Sequence, residues 1–225
     1  MPLKLYFHPL ASYCHKALIA LYENDTPFEK RVIDLGNEQS RAELTALWPL
    51  AKFPVLRDEA RNQTIPEASI IIEYLAQYYP GKGTLVGADA DRAREIRLRD
   101  RYFDWYIHEP MQKIVVDKLR PPGFNDPHGV EQARRTLQTA YGMLEAEMKT
   151  RIWALGEEFT MADCAAAPAL FYANFVEPFG DSHPKLAAYS ERLQQRPSYA
   201  RALEEARPFF KYFPYQDKMP AGLVS

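Results

Sequence analysis

Leu3, Leu5 and Phe7 alternate with Lys4 and Tyr6, the period of a half-buried strand. His8-Pro9-Leu10-Ala11-Ser12 interrupts that alternation as a loop. From Tyr13 to Tyr22 the spacing changes, and Cys14, Ala17, Leu18 and Leu21 fall on one face of a helix. Asn24-Asp25-Thr26-Pro27 is a turn. Phe28 to Asp34, with Val32 and Ile33 apolar, suits a second strand. Ser40-Arg41-Ala42-Glu43 has the Ser-x-x-Glu spacing of a helix start, and the short helix to Leu47 ends at Trp48-Pro49. Pro54 to Arg57 reads as a third strand, Glu59 to Asn62 as a polar turn, and Gln63 to Ile65 as a fourth strand. Pro66-Glu67 opens a helix to Tyr79, with Ile70, Ile71, Tyr74 and Leu75 apolar, and Pro80-Gly81-Lys82-Gly83 stops it.

This β-α-β-α-β-β-α order predicts a small α/β unit over residues 1–80. Past Asp89 no convincing strand appears. Helical stretches run near Asp89 to Leu119, Gly129 to Lys149, Thr160 to Val176, His183 to Gln195 and Ser198 to Glu205. The expected fold class is therefore α/β plus all-α: the first unit, a linker over 81–88, and a helical-bundle domain over 89–225.

Composition narrows the classes. The 225 residues suffice for one large or two small domains with a real core. Hydrophobic content of 47% and charged content of 26% are ordinary for a soluble globular protein. A net charge of -2 offers no basic field for nucleic acid or an anionic membrane. Neither a signal peptide nor a bilayer-spanning run is visible, so neither nucleic acid nor a membrane is an expected partner. Cys14 and Cys164 cannot form a disulfide framework, and a reducing cytoplasm is the expected location. His8, His15, His108, His128 and His183 are scattered without ligand spacing, so no metal site is expected. No Gly-rich phosphate loop or hydrolase elbow is present.

The candidate chemistry centres on Lys52-Phe53-Pro54-Val55-Leu56-Arg57-Asp58. Pro54 lacks a backbone donor and suits a strand's first residue or an edge. It can also be cis, and a strand edge offered there can pair with the backbone of a peptide ligand. Taken alone, Pro54 reads more simply as the start of a strand.

Its neighbours add a family likeness. The strand-loop-helix at Leu5 to Leu21, Lys52-Phe53-Pro54-Val55-Leu56, Pro66-Glu67-Ala68-Ser69 leading to Glu73-Tyr74-Leu75, and Phe159-Thr160-Met161-Ala162-Asp163 occur in an order that resembles the cytosolic glutathione transferases. The likeness covers nearly the whole chain and implies a thioredoxin-like domain followed by a helical one. It implies a cis Pro54, with the Phe53 backbone holding the cysteinyl part of glutathione. It also implies that a glutamate-serine pair binds the γ-glutamyl end. Glu67 matches the first member of that pair. Ala68 stands at the second, and Ser69 follows it, rotated by about 100 degrees on a helix. Lys52 is either a partner for the glycine carboxylate or a plain surface lysine.

Ala11 occupies the position where serine-type, bacterial-type members carry the hydroxyl that activates the thiol. Ser12 and Tyr13 are the nearest substitutes; Ser12 is equally suited to cap the helix, and Tyr13 to packing. A free thiol titrates near about 8.5, so only a small part is thiolate at neutral pH. One hydrogen bond to a charged sulfur is worth roughly 1.5–3 kcal/mol. The helix N-terminus supplies a further positive field. Ala11-Ser12-Tyr13-Cys14 aligns with the Cys-x-x-Cys of redox relatives, but Ala11 removes the nucleophilic member. Cys14 is expected to be a buried packing residue. His15 and Lys16 are expected on the solvated face, and His8 stays open.

In the helical half, Asp91 to Asp104 is dense in mixed charge and reads as a solvated or subunit-facing helix, with Glu95 and Arg99 at a favourable spacing. The likeness makes Tyr106, His108 and Met111 candidates for an electrophile pocket; each is as well suited to the core. Thr160 and Asp163 have the spacing of a reciprocal helix cap. Aromatic residues from Phe209 to Tyr215 are expected to fold back over the domain. The leading expectation is a homodimeric transferase that binds glutathione and directs its thiolate at a small apolar electrophile. The alternatives are a glutathione- or protein-binding module without chemistry, favoured by Ala11 and Ala68, and a glutathione-dependent isomerase or dehalogenase.

Overall fold

The structure, a computed structural model, describes residues 2–224. The first half contains β1 (Leu3–Phe7), α1 (Ser12–Glu23), β2 (Glu29–Val32), α2 (Glu38–Leu47), β3 (Val55–Asp58), β4 (Gln63–Pro66) and α3 (Ala68–Tyr78). The strands form one sheet in the order β2-β1-β3-β4. β1 runs parallel to β2, while β3 is antiparallel to both β1 and β4. The β-α-β-α-β-β-α order matches the expectation.

The period of β1 decides what each face meets. Leu3, Leu5 and Phe7 enter the main core with Leu18 and Leu21 of α1 and Ile71, Ile72 and Leu75 of α3. Tyr6 points the other way and joins Ile33, Val55 and Leu44 of α2 in a smaller cluster. β2 is exposed at all four positions. Its Glu-Lys-Arg composition marks a charged edge strand, which discourages pairing with other chains.

Three local expectations change. The α2 cap is Asn37, whose side chain accepts from the Ser40 N–H, so Ser40 lies inside the first turn. The α1 cap is Ala11, which has no side-chain acceptor, so Ser12 is the first helical residue and not the cap. Glu95 pairs with Arg92, while Arg99 reaches Glu147 across the domain.

The second half holds α4 (Ala90–Tyr102), a wide π-helical stretch (Phe103–His108), α5 (Glu109–Lys118), α6 (Pro127–Glu147), α7 (Met161–Val176), α8 (Pro184–Gln195) and α9 (Pro197–Ala206). Short 3-10 turns and a four-residue helix follow. The predicted single helix from Asp89 to Leu119 is thus one rod with a π-helical insert. Pro110, which has no N–H to donate, lies two residues past the end of that insert. α7 is buried along nearly its whole length, and α1 and α4 pack against it. Asp163 accepts from the Thr160 N–H at 2.9 Å, the Ala154 N–H at 2.8 Å and the Tyr189 hydroxyl at 2.7 Å, so one carboxylate ties the α7 start to α8 and the preceding loop.

The largest correction concerns charge. His15 and Lys16 are not solvated; both are buried, Lys16 at 1% exposure. Lys16 Nζ lies 2.8 Å from Asp104 Oδ2 and 2.7 Å from Asp100 Oδ1, and donates to Ser69 Oγ at 2.9 Å. Ser69 in turn donates to Asp100 Oδ2 at 2.7 Å. Part of the charged helix therefore faces inward and clamps α1 and α3 to the helical half.

Candidate functional site

Two cavities meet at the start of α1. The first, of about 610 Å³, is lined by His8, Leu10, Ala11, Ser12 and Tyr13 from the β1–α1 junction, Lys52 and Phe53 from the loop before β3, and His108, Glu109, Met111, Gln112 and Val115 from the rod. Tyr172 of α7 and Phe213 and Pro214 of the tail close it. The second, of about 380 Å³, lies over Lys52, Phe53, Pro54, Glu67, Ala68 and Ser69 and is walled by Trp48, Arg101, Asp104, Trp105 and Glu109. Tyr13, Lys52, Phe53 and Glu109 line both.

Each wall has a local cause. The Phe53–Pro54 peptide is cis. Glu67 sits at φ 69°, a left-handed conformation that a non-glycine residue holds only when its surroundings impose it. It is the residue just before α3, and its side chain is exposed in the second cavity. Because Ala11 caps nothing, the first N–H groups of α1 have no side-chain acceptor. That leaves a positive helix end beside Ser12 and Tyr13.

Electrostatics sorts the side chains. Burial, reinforced by the carboxylates of Asp104, Glu109, Glu67 and Asp100, pushes the Tyr13 phenol well above its usual value, so it stays protonated. Its ring lies 4.1 Å from that of His108. Burial, with Lys16 adding to it, brings His108 down to about 3, and its Nδ1 is buried without a hydrogen-bond partner. Burial raises the Asp104 carboxyl, opposed by Lys16. Burial likewise pushes the Cys14 thiol far up, and its sulfur accepts the His8 N–H at 3.5 Å. Cys14 is fully buried and is not a surface nucleophile.

The structure brings Ser12, Tyr13, Lys52, Phe53, Pro54, Glu67, Ala68, Ser69, His108 and Met111 to these two cavities. Tyr106 is a correction. It is 54% exposed and opens with Tyr102, Arg135 and Met143 onto a separate cleft between α4 and α6. Tyr106 stands two residues before His108, about 200° around the helix axis, and so lies off the face that His108 and Met111 share. Ser69 has its hydroxyl engaged by Lys16 and Asp100, so it is not a free replacement for a serine at 68. Sequence reasoning missed Trp48, at the end of α2, and Arg101, Asp104 and Trp105, whose place beside Glu67 depends on the docking of the two halves. Gln112 and Val115 were within reach, since they follow His108 and Met111 at helical spacing.

A thioredoxin-like unit joined to a helical domain, with a cleft over a cis-proline loop, defines a class. Residues 5–83 match the family model for the glutathione S-transferase N-terminal domain, and residues 127–192 that for the C-terminal domain. The chain belongs to the cytosolic glutathione transferase superfamily. It is 26% identical over 195 residues to the glutathione S-transferase GstB of Escherichia coli K12, covering 84% of this chain and 91% of that protein. It is 29% identical over 219 residues to FtsZ-localized protein A of Caulobacter vibrioides, covering 91% and 92%. A glutathione S-transferase of Methylobacterium radiotolerans, solved with glutathione sulfonate, superposes with a TM-score of 0.78 at 25% identity, covering 89% and 93%.

Proposed function

We propose that the chain binds glutathione in the cleft over Phe53, Pro54 and Glu67 and directs its thiolate at a small apolar electrophile in the adjoining cavity. The observation that carries this reading is the meeting of the two cavities. Tyr13, Lys52, Phe53 and Glu109 belong to both, beside the uncapped start of α1. A sulfur held there faces the positive helix end, and the larger, mostly apolar cavity lies within its reach. In this reading Glu67 holds the γ-glutamyl end, and Lys52 the glycine carboxylate. Ser12 or the helix N–H groups support the thiolate, and His108 and Met111 shape the electrophile pocket. Glutathione is consumed as co-substrate, with no metal. Membership of the cytosolic glutathione transferase superfamily supports a cytoplasmic site of action.

Calorimetric titration with glutathione, followed by mass analysis of products from a panel of electrophiles, tests the reading. Binding with an adduct formed is expected. Regenerated glutathione with an altered second substrate would move the chain to isomerase or dehalogenase chemistry. A pure binding module is favoured by Ala11 and Ala68 alone; binding with no turnover of any electrophile would establish it.

We also propose a homodimer. Leu98, Tyr106 and Met143 are large, exposed apolar residues on α4, the π-helical stretch and α6. A mass from ultracentrifugation near twice 25.9 kDa is expected, and Tyr106→Glu should lower it. A monomer at all concentrations would overturn this.

A further inference from the structure

His8 carries a hydrogen-bonding role that the residues around Ala11 leave open. The Leu10 N–H donates to His8 Nδ1 at 3.2 Å. That bond occupies the Nδ1 lone pair, so the ring proton of the neutral imidazole sits on Nε2. The ring is braced on two sides: it stacks on Phe53 at 6.0 Å and 22°, and meets the edge of Phe209 at 5.6 Å. It lines the first cavity together with Ala11, Ser12 and Phe53. Burial lowers its basicity, opposed by Asp34. The other charged side chains on that cavity are Lys52 and Glu109.

We infer that His8, through Nε2–H, donates a hydrogen bond to the sulfur of bound glutathione and supplies the side-chain donor that Ala11 lacks. This rests on the glutathione reading above. The role is donor and not base: accepting the thiol proton at Nδ1 would break the bond from Leu10. The thiol proton therefore leaves to solvent, the sulfur keeps its electron pair as thiolate, and His8 retains its own proton. The competing side chains are less suited. Tyr13 packs at a tilt against His108 and sits among carboxylates that disfavour a second negative charge. Ser12 remains available, and the two donors can act together.

Two amide variants separate the ring's two nitrogens. His8→Asn places a carbonyl oxygen where Nδ1 accepts from Leu10 but has nothing at Nε2. His8→Gln extends an amide N–H to the Nε2 position. The readout is the ultraviolet absorbance of bound thiolate against pH, at saturating glutathione, beside a calorimetric affinity and a melting curve. His8→Asn should raise the titration of the bound thiol by about one to two pH units, the size of one lost hydrogen bond to a charged group. His8→Gln should recover most of the wild-type value. Equal titration in the wild type and folded His8→Asn, both below the free thiol, overturns the role of His8 and leaves the glutathione reading standing. A wild-type chain that does not bind glutathione overturns both. If His8→Asn fails to fold, His8→Phe removes the donor with the stack kept, losing the Leu10 acceptor as well, and should raise the bound-thiol titration in the same direction; a folded His8→Phe with the wild-type titration overturns the role of His8.

Discussion

Glu67 shows what a single residue can reveal. A glutamate at φ 69° costs about 1–3 kcal/mol, and glycine has no such penalty. Glu67→Gly should therefore leave stability unchanged or raise it by about 1 kcal/mol, while weakening glutathione binding at least tenfold. Chemical denaturation and calorimetry measure the two effects separately. Parallel losses in both would mean that Glu67 serves the fold and not the ligand.

His15 offers a second test at this scale. It is fully buried, its Nδ1 has no partner, and burial brings it down from 6.5 to about 4. The folded value lies below the unfolded one, so between those limits the unfolded chain binds more protons. The stability this group contributes is complete above pH 6.5 and is lost as pH falls through about 4. The loss should reach about 3 kcal/mol. Urea denaturation across that window should show a steeper decline for the wild type than for His15→Gln. Identical slopes would place the titration elsewhere.

At the scale of elements, the start of α7 is a junction as well as a cap. Asp163 serves Thr160 in its own helix, Ala154 in the loop before it, and Tyr189 in α8. Asp163→Ala leaves two buried N–H groups and a buried hydroxyl without acceptors, at about 1–3 kcal/mol each. A stability loss of at least about 3 kcal/mol with unchanged glutathione affinity is expected, and a loss under about 1 kcal/mol would reduce the motif to a simple cap. The Thr-x-x-Asp spacing was legible because a cap is local. The π-helical insert in the rod was not, because its effect is a change of angular register that single-residue preferences do not record. Tyr106, about 200° around the axis from His108, lies off the pocket face, while His108 at the end of the insert and Met111 beyond it line the cavity.

At the scale of the whole molecule, Lys16 holds the two halves in register. Its ammonium reaches Asp100 and Asp104 of the helical half and Ser69 of the first half, beneath the second cavity. Lys16→Met strands two buried carboxylates and should cost about 3–5 kcal/mol. Adding Asp100→Asn and Asp104→Asn should recover most of it, since removing a whole buried charge cluster is often neutral. Denaturation midpoints of the single and triple variants decide this; a triple variant no better than the single one would mean that packing, and not charge, is lost.

Taken by itself, the sequence determined whatever is periodic or adjacent: the strand alternation of β1, the amphipathic α1 and α3, the cap of α7 and the loop around Pro54. The order of these elements was enough to mark the family likeness. It also placed Phe53, Glu67, His108 and Met111 among the candidates. Tertiary structure alone decided which charges are buried and which residues complete the site. Lys16 lies 84 residues before Asp100 along the chain, and nothing local to Lys16 distinguishes it from a solvated lysine. Only the docking of α1 against α3 and α7, which brings the Asp100 side chain of α4 within reach, removes water from it and supplies its partners. The same docking sets Asp104 and Trp105 beside Glu67 and turns two separate surfaces into adjoining cavities. Burial is a property of the packed assembly, and burial is what moves His108 down and Tyr13 and Asp104 up from their ordinary values.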